Sequence, residues 1–462
     1  MMNLKKGILQ VFLANIINLF FSVCNGFLLP KYLSLETYAG LKTFLLYTSY
    51  VGILHFGYVD GVYIRYGGEN KEKIYTDGFA YAHRVLVYFQ IAVTGIGIAI
   101  AVILRDMTLL CAAISILPTN LSAFYKMIYQ AVGDFNSYRM ILNLTSALIF
   151  AANIIFILAG IDNMYGYIGI QLTMTIIIFL YYEYKEGRKG ASVNISISVF
   201  KTELGKNISS GLIIMLGNFM GVWITGMDRW FVKICGSVAD FAYYSFAVTM
   251  LKIINTIITA VSITLYHFFC KDQDSARIGS LRKSILIAGA AVIASFYPLK
   301  LFISVYLKKY EEAVSIIFII YAAQYLMTVI HSVYLNLYKS LHRQKKYMIR
   351  MVSVTMIAFL LNVFLGKACS YTTDAFALAT LLTAVIWLWM CQRDMKEYRM
   401  SWREWIYICL AVLGYFIGGL FYPLISLFIY LAWIFILSVL LVPKETKLLF
   451  HSIIDILQKK GA

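Results

Sequence analysis

Asp228 and Arg229 stand side by side within "ITGMDRWFVK", residues 224–233, in one of the more apolar parts of a 462-residue chain. An acid and a base at membrane depth have two chemical uses. They can neutralise each other, or the guanidinium can grip an anion, because its fork of donors matches phosphate oxygens. Three more cations share that setting: Lys252 near the middle of one apolar stretch, Lys42 near the outer end of another, and Lys126 near the inner end of a third. A Lys or Arg at the centre of a membrane helix costs about 2.5–3.5 kcal/mol on insertion scales, so such residues usually face a watery cavity. Lys42 and Lys126 can snorkel to an interface. Lys252, near mid-span, is less able to, which puts Lys252 and Arg229 first as contacts for an anionic substrate.

Uncharged polar residues follow the same habit. Asn15, Asn18, Ser22 and Asn25 recur at steps of 3, 4 and 3, one face of a helix. Sliding the chain by 203 residues puts Asn15 on Asn218, Ser34 on Ser237 and Ala39 on Ala242. The same shift matches the first stripe to Asn218, Gly221, Thr225 and Asp228, with Asp228 standing where Asn25 does. Asn15, Asn25 and Asn218 therefore join the candidate cavity residues. For any single Ser, Thr or Asn, a bond between neighbouring helices worth about 0.6 kcal/mol is the competing use.

The elements that must hold these residues are membrane helices. Hydrophobic residues make up 61% of the chain and charged ones 14%, against about 45–50% and 25% in soluble domains. Fourteen apolar stretches of span length lie between residues 7 and 442. With the N-terminus in the cytoplasm, 30 of the 40 Lys and Arg fall inside, seven outside, and three (Lys42, Arg229, Lys252) within spans. That bias fixes the orientation, with both termini cytoplasmic. Because the +17 charge is spread over the inner loops, no compact basic domain exists to bind nucleic acid. The seven cysteines show no CxxC spacing, so neither a disulfide framework nor a metal site is expected. Lys5 and Lys6 precede a run too long for a signal peptide, which reads as an uncleaved first span.

The expected architecture is all-α and polytopic, with about 14 transmembrane helices. Residues 1–183 form an N-terminal six-helix lobe and 208–391 a C-terminal one, related by a parallel pseudo-twofold axis around a central cavity. Residues 184–207 read as a cytoplasmic linker, and 392–462 as two accessory helices with a cytoplasmic tail.

"FLLPKYLSLETYAGLKTFLLYTSYVGILHFGYVDGVYIRYGG", residues 27–68, resembles the opening two helices of the bacterial polysaccharide transporter or O-antigen flippase family, within the multidrug/oligosaccharidyl-lipid/polysaccharide exporter superfamily. Leu29, Pro30, Lys31, Tyr32 and Leu33 match the family's turn, and Gly57, Asp60, Arg65, Tyr66 and Gly67 match the end of its second helix loosely. "GMDRWFVKICGSVADFAYYSFA", residues 226–247, resembles the family's seventh helix, whose Asp-Arg pair Asp228 and Arg229 fit, although Ala242 replaces the usual Gly before Tyr243.

The resemblance implies a flippase, not an enzyme and with no cofactor. It would move an undecaprenyl-pyrophosphate-linked oligosaccharide across the bacterial cytoplasmic membrane by alternating access, driven by a proton or sodium gradient. Polysaccharide polymerase and chain-length machinery would be partners. Arg229 and Lys252 would hold the pyrophosphate and sugar acids, Asp228 would balance the charge or carry a coupling proton, and Asp60 and Arg65 would gate at a helix end. A multidrug antiporter of the same superfamily is the alternative, but organic cations call for acidic cavity residues. A membrane glycosyltransferase or polymerase would need a long outer loop for its active site, and no Walker A motif supplies ATP hydrolysis.

Overall fold

The computed structural model describes residues 2–67, 77–187 and 195–449, with side chains of the first helix described from Ile17 onward. No strand occurs among the described residues, and ten helices there are long and apolar enough to cross a membrane. Each of the fourteen expected stretches falls on helix, so the protein is an all-α, multi-pass membrane protein. Helices dominate because hydrocarbon leaves no other partner for backbone N–H and C=O groups. Contacts divide the chain into two compact units, Met1–Gly226 and Met227–Ala462.

The first unit comprises α1 (Met2–Tyr32), α2 (Leu35–Thr48), α3 (Tyr58–Tyr66), α4 (Asp77–Leu104), α5 (Met107–Ile114), α6 (Ile116–Ala131), α7 (Phe135–Leu158), α8 (Met164–Lys185) and α9 (Ile197–Ile224). Ser34, Asp106, Asp134, Asn163 and Ser196 cap α2, α5, α7, α8 and α9 by accepting a backbone N–H of the first turn. Tyr58, Phe79, Val85, Phe124, Tyr125 and Tyr182 form its core where α3, α4, α6 and α8 meet. Residues 197–207, from the stretch expected to link the halves, form the first turns of α9, and 188–194 lie outside the described residues.

The second span bends at Phe56 (φ 50°) and Gly57 (φ 81°), the latter in a region that glycine enters freely. The bend lays α3 across α9 with the two backbones nearly touching. A Cβ on Gly61 would stand 2.0 Å from the Asn207 carbonyl oxygen, and one on Gly211 2.0 Å from that of Gly57. Small residues are what allow membrane helices to approach this closely. Gly61→Ala is expected to destabilise the unit by about 1–3 kcal/mol, the usual cost of overpacking. Thermal unfolding in detergent measures this, with Gly95→Ala, which meets nothing within 4 Å, as the silent control.

The second unit comprises α10 (Met227–Cys235), α11 (Val238–Lys271), α12 (Ser275–Ile293), α13 (Phe296–Tyr306), α14 (Ala313–Val329), α15 (Leu335–Ser340), α16 (Gln344–Ala368), α17 (Thr373–Asp394), α18 (Trp402–Gly418) and α19 (Pro423–Leu441). α14 is its centre. Thirteen of its residues are buried, as a helix apolar on all sides requires, and it packs against α11, α12 and α17. A π-helical turn, Ile330–Tyr334, joins α14 to α15, and Ser262 of α11 donates to the His331 carbonyl at 3.2 Å. α18 and α19 attach through packed aromatics: the Tyr415 ring centre lies 4.7 Å from that of Phe318, 5.8 Å from Tyr297 and 5.8 Å from Tyr430, tilted or edge-on.

The seventh span departs from expectation. It is two helices, α9 and α10, broken at Thr225 and Gly226. The Thr225 hydroxyl donates to the carbonyls of Gly221 and Val222 at 3.0 and 3.3 Å, and Gly226 has no side chain to continue the packing. Asn218, Gly221, Thr225 and Asp228 therefore do not lie along one face of one helix.

Candidate functional site

The break puts Asp228 in the first turn of α10, where a carboxylate is favoured by the helix dipole. Its Oδ1 accepts the Arg229 backbone N–H at 2.8 Å. Its Oδ2 accepts from the Tyr244 hydroxyl of α11 at 2.8 Å and from Thr380 Oγ1 of α17 at 3.3 Å. The residue is only 6% exposed, so three donors replace the water it has lost.

Arg229 is handled differently. It is 8% exposed, its guanidinium makes no ion pair among the described residues, and its Nε is buried without a partner. The side-chain ion pair that adjacency suggested does not form, because Asp228 is turned toward α11 and α17. Lys252 of α11 lies within electrostatic reach of Arg229 and is exposed, with no hydrogen-bond partner for its ammonium among the described residues. Two cations thus stand near each other with one acid that is already satisfied. An anion able to accept from both would relieve the unpaired Nε and the mutual repulsion of the two charges.

The first unit holds a separate pocket of about 340 Å³ lined by Lys126 with Thr48, Ser115, Thr119, Ser122 and Gln171. Ser122 Oγ is buried there without a partner. Asn25 is not part of this lining. It accepts from Asn153 Nδ2 of α7 at 3.0 Å, just as Asn18 accepts from Ser146 at 2.7 Å, so this stripe ties α1 to α7. Lys42 lies 5.0 Å from the centre of the Tyr38 ring. Asn218 is exposed, and the side chain of Asn15 lies outside the described residues. Asp60 is buried with its Oδ2 3.7 Å from His55 Nε2, and Arg65 pairs with Glu203 of α9 at 2.8 Å.

Several polar clusters escaped the sequence reading. Tyr244 and Thr380 are 16 and 152 residues from the carboxylate they serve, with no local spacing to betray them. His83, Tyr125 and Glu183 form a triangle in the first unit, with Glu183 Oε2 3.0 Å from His83 Nε2 and 2.9 Å from the Tyr125 hydroxyl. Among the described residues no group of three His, Cys, Asp or Glu side chains could hold a metal ion.

In sequence, the chain matches no protein-family model and no curated protein. Solved structures do match. A lipid II flippase, MurJ, in an inward closed conformation aligns over 94% of this chain and 97% of its own, with a TM-score of 0.68 at 16% identity. The chain shares the MurJ fold. Two structures of a multidrug resistance MATE family transporter of the MOP superfamily share it less closely. The inward-facing one gives a TM-score of 0.57 at 14% identity, covering 83% of this chain and 95% of its own. The outward-facing one gives 0.54 at 16% identity, covering 86% and 97%. At these identities the MurJ likeness concerns the course of the helices, not the side chains that line them.

Proposed function

We propose that the protein is a flippase for an anionic, lipid-linked oligosaccharide. Its cargo would be an undecaprenyl-pyrophosphate-linked unit of O-antigen, capsule or a similar glycan. The unit would move from the inner to the outer leaflet of the bacterial cytoplasmic membrane, to be released to a polymerase and its chain-length partners. The observation that carries this reading is the buried Arg229 Nε, without a partner among the described residues and within electrostatic reach of Lys252. A planar fork of N–H donors matches phosphate oxygens two at a time, and a nearby ammonium adds charge without demanding geometry. Lys126 in its hydroxyl-lined pocket, with Lys42, Asn15, Asn25 and Asn218, would meet the sugar portion, while Asp60 and Arg65 would act at a gate. Alternating access would then carry the bound headgroup past the hydrocarbon.

Asp228 suits the coupling role. A proton or sodium ion arriving at its carboxylate would compete with Tyr244 and Thr380 and so loosen α10 from α11 and α17. Asp228→Asn is expected to leave cargo binding in place while transfer stops responding to an imposed ion gradient. Initial rates in proteoliposomes with and without the gradient measure this, and an unchanged gradient response removes Asp228 from coupling.

The MATE likeness favours a second reading, export of organic cations. Transfer of a fluorescent lipid-pyrophosphate oligosaccharide across proteoliposomes, beside uptake of a cationic dye, separates the two. The flippase moves the former and not the latter. Dye uptake without lipid transfer overturns the proposal.

A further inference from the structure

A concave basic site lies in the second unit where α16 begins and α17 ends, away from Arg229 in sequence and independent of any cargo. It encloses about 800 Å³, well within the range of small-molecule pockets. Arg343, Lys345, Lys346, Arg393 and Lys396 line it, against Asp394 and Glu397. Asp394 is already engaged. Arg350 grips it with Nε and Nη2, both at 2.7 Å, and the Tyr338 hydroxyl donates to it as well. The lining cations are therefore in excess, and Lys345, Lys346, Arg393 and Lys396 are exposed.

Two apolar stripes lead away from this site. On α16, Ile349, itself part of the lining, begins a row continued by Val352, Met356, Leu360 and Phe364, all exposed. On α17 the exposed row Leu378, Leu382, Val385 and Trp389 ends four residues before Arg393, whose guanidinium lies 5.6 Å from the Trp389 ring. Steps of three and four keep each row on one helix face, and α16 packs against α17. Basic loops at helix ends are ordinary on the inner side of a membrane. A basic concavity from which an exposed apolar row runs along each of two packed helices is more specific.

We infer that this site binds an anionic diacyl phospholipid of the surrounding leaflet. The phosphodiester headgroup would sit among Lys345, Lys346, Arg393 and Lys396, and one acyl chain would follow each stripe. Basic pockets between helices at a membrane interface attract such headgroups. A free phosphate would leave the stripes unused, and a polyprenyl chain would use one of them.

Native mass spectrometry of the full chain, released from nanodiscs of mixed phosphatidylglycerol and phosphatidylcholine, tests the assignment. Wild type is expected to retain phosphatidylglycerol preferentially. The variant carrying Lys345→Gln, Lys346→Gln, Arg393→Gln and Lys396→Gln is expected to lose that preference by about tenfold or more. Lys201→Gln with Lys206→Gln, exposed bases outside the site, is expected to retain it. Three results overturn the inference: no preference in wild type, an equal loss in the control variant, or displacement of phosphatidylglycerol by an equimolar polyprenyl diphosphate. Should the fourfold variant unfold, Lys345→Gln with Arg393→Gln must still lower the preference several-fold, and failure to do so overturns it too.

Discussion

Replacing Arg282 with methionine is expected to destabilise the protein by about 3–5 kcal/mol, the range seen when one partner of a buried ion pair is removed. Arg282 of α12 and Glu404 of α18 are 3% and 0% exposed. The guanidinium meets the carboxylate through two bonds, Nε to Oε1 at 2.7 Å and Nη2 to Oε2 at 3.0 Å. Its remaining donors reach the carbonyls of Tyr398 at 2.6 Å and Arg399 at 3.1 Å. Glu404 Oε2 in turn accepts the Ser401 N–H at 2.7 Å and its hydroxyl at 2.9 Å, closing a capping box at the start of α18. One side chain thus fixes the turn before α18, the cap of α18 and its attachment to α12. Methionine keeps the volume but strands a buried carboxylate and two carbonyls. Pairing it with Glu404→Gln removes the stranded charge and leaves an amide oxygen for the cap, so the double variant is expected to recover much of the loss. Denaturant titration in mixed micelles measures both. A single variant as stable as wild type would mean that water reaches the pair.

How much of this was legible in the sequence depends on the physics that each feature obeys. Hydropathy reports transfer from water to lipid, which is why all fourteen stretches fall on helix. It is silent on how backbone hydrogen bonds run inside a span. The interruptions at Gly57, at Ser115 between α5 and α6, at Thr225–Gly226 and at the π turn near His331 were therefore missed. The break at Thr225 matters most, because it turns Asp228 away from the stripe that periodicity assigned to it. Arg229 and Lys252 stood out because charge in a span is costly wherever it points. Arg282 did not, since it lies next to a basic loop and counted as one more inner charge. One pairing was readable and went unread. Asn18 and Asn25 are seven residues apart, as are Ser146 and Asn153, and both bonds join positions 128 apart. Equal spacing in the same sense means that α1 and α7 run parallel, as the first and fifth spans must if each span crosses the membrane once.

Arg229→Ala is expected to lower transfer of a lipid-linked pyrophosphate by roughly ten- to a hundredfold at limiting substrate. The magnitude follows from losing hydrogen bonds to a charged group, about 1.5–3 kcal/mol each, where about 1.4 kcal/mol is a factor of ten. The fold should barely notice. Arg229 makes no ion pair among the described residues and its Nε is already unsatisfied, so removing it breaks no salt bridge, in contrast to Arg282. Stability within about 1 kcal/mol of wild type, beside a large transport defect, is therefore the signature of a group held for a ligand. Arg229→Lys separates charge from shape, because an ammonium keeps the attraction but loses the fork that engages two oxygens. It is expected to fall between wild type and alanine, with the defect in apparent affinity, since Lys252 still supplies charge nearby. Initial rates against substrate concentration in proteoliposomes, with unfolding curves on the same preparations, check both halves. Unchanged transfer in Arg229→Ala would remove this residue from the cargo path, and a stability loss as large as that of Arg282→Met would make it structural.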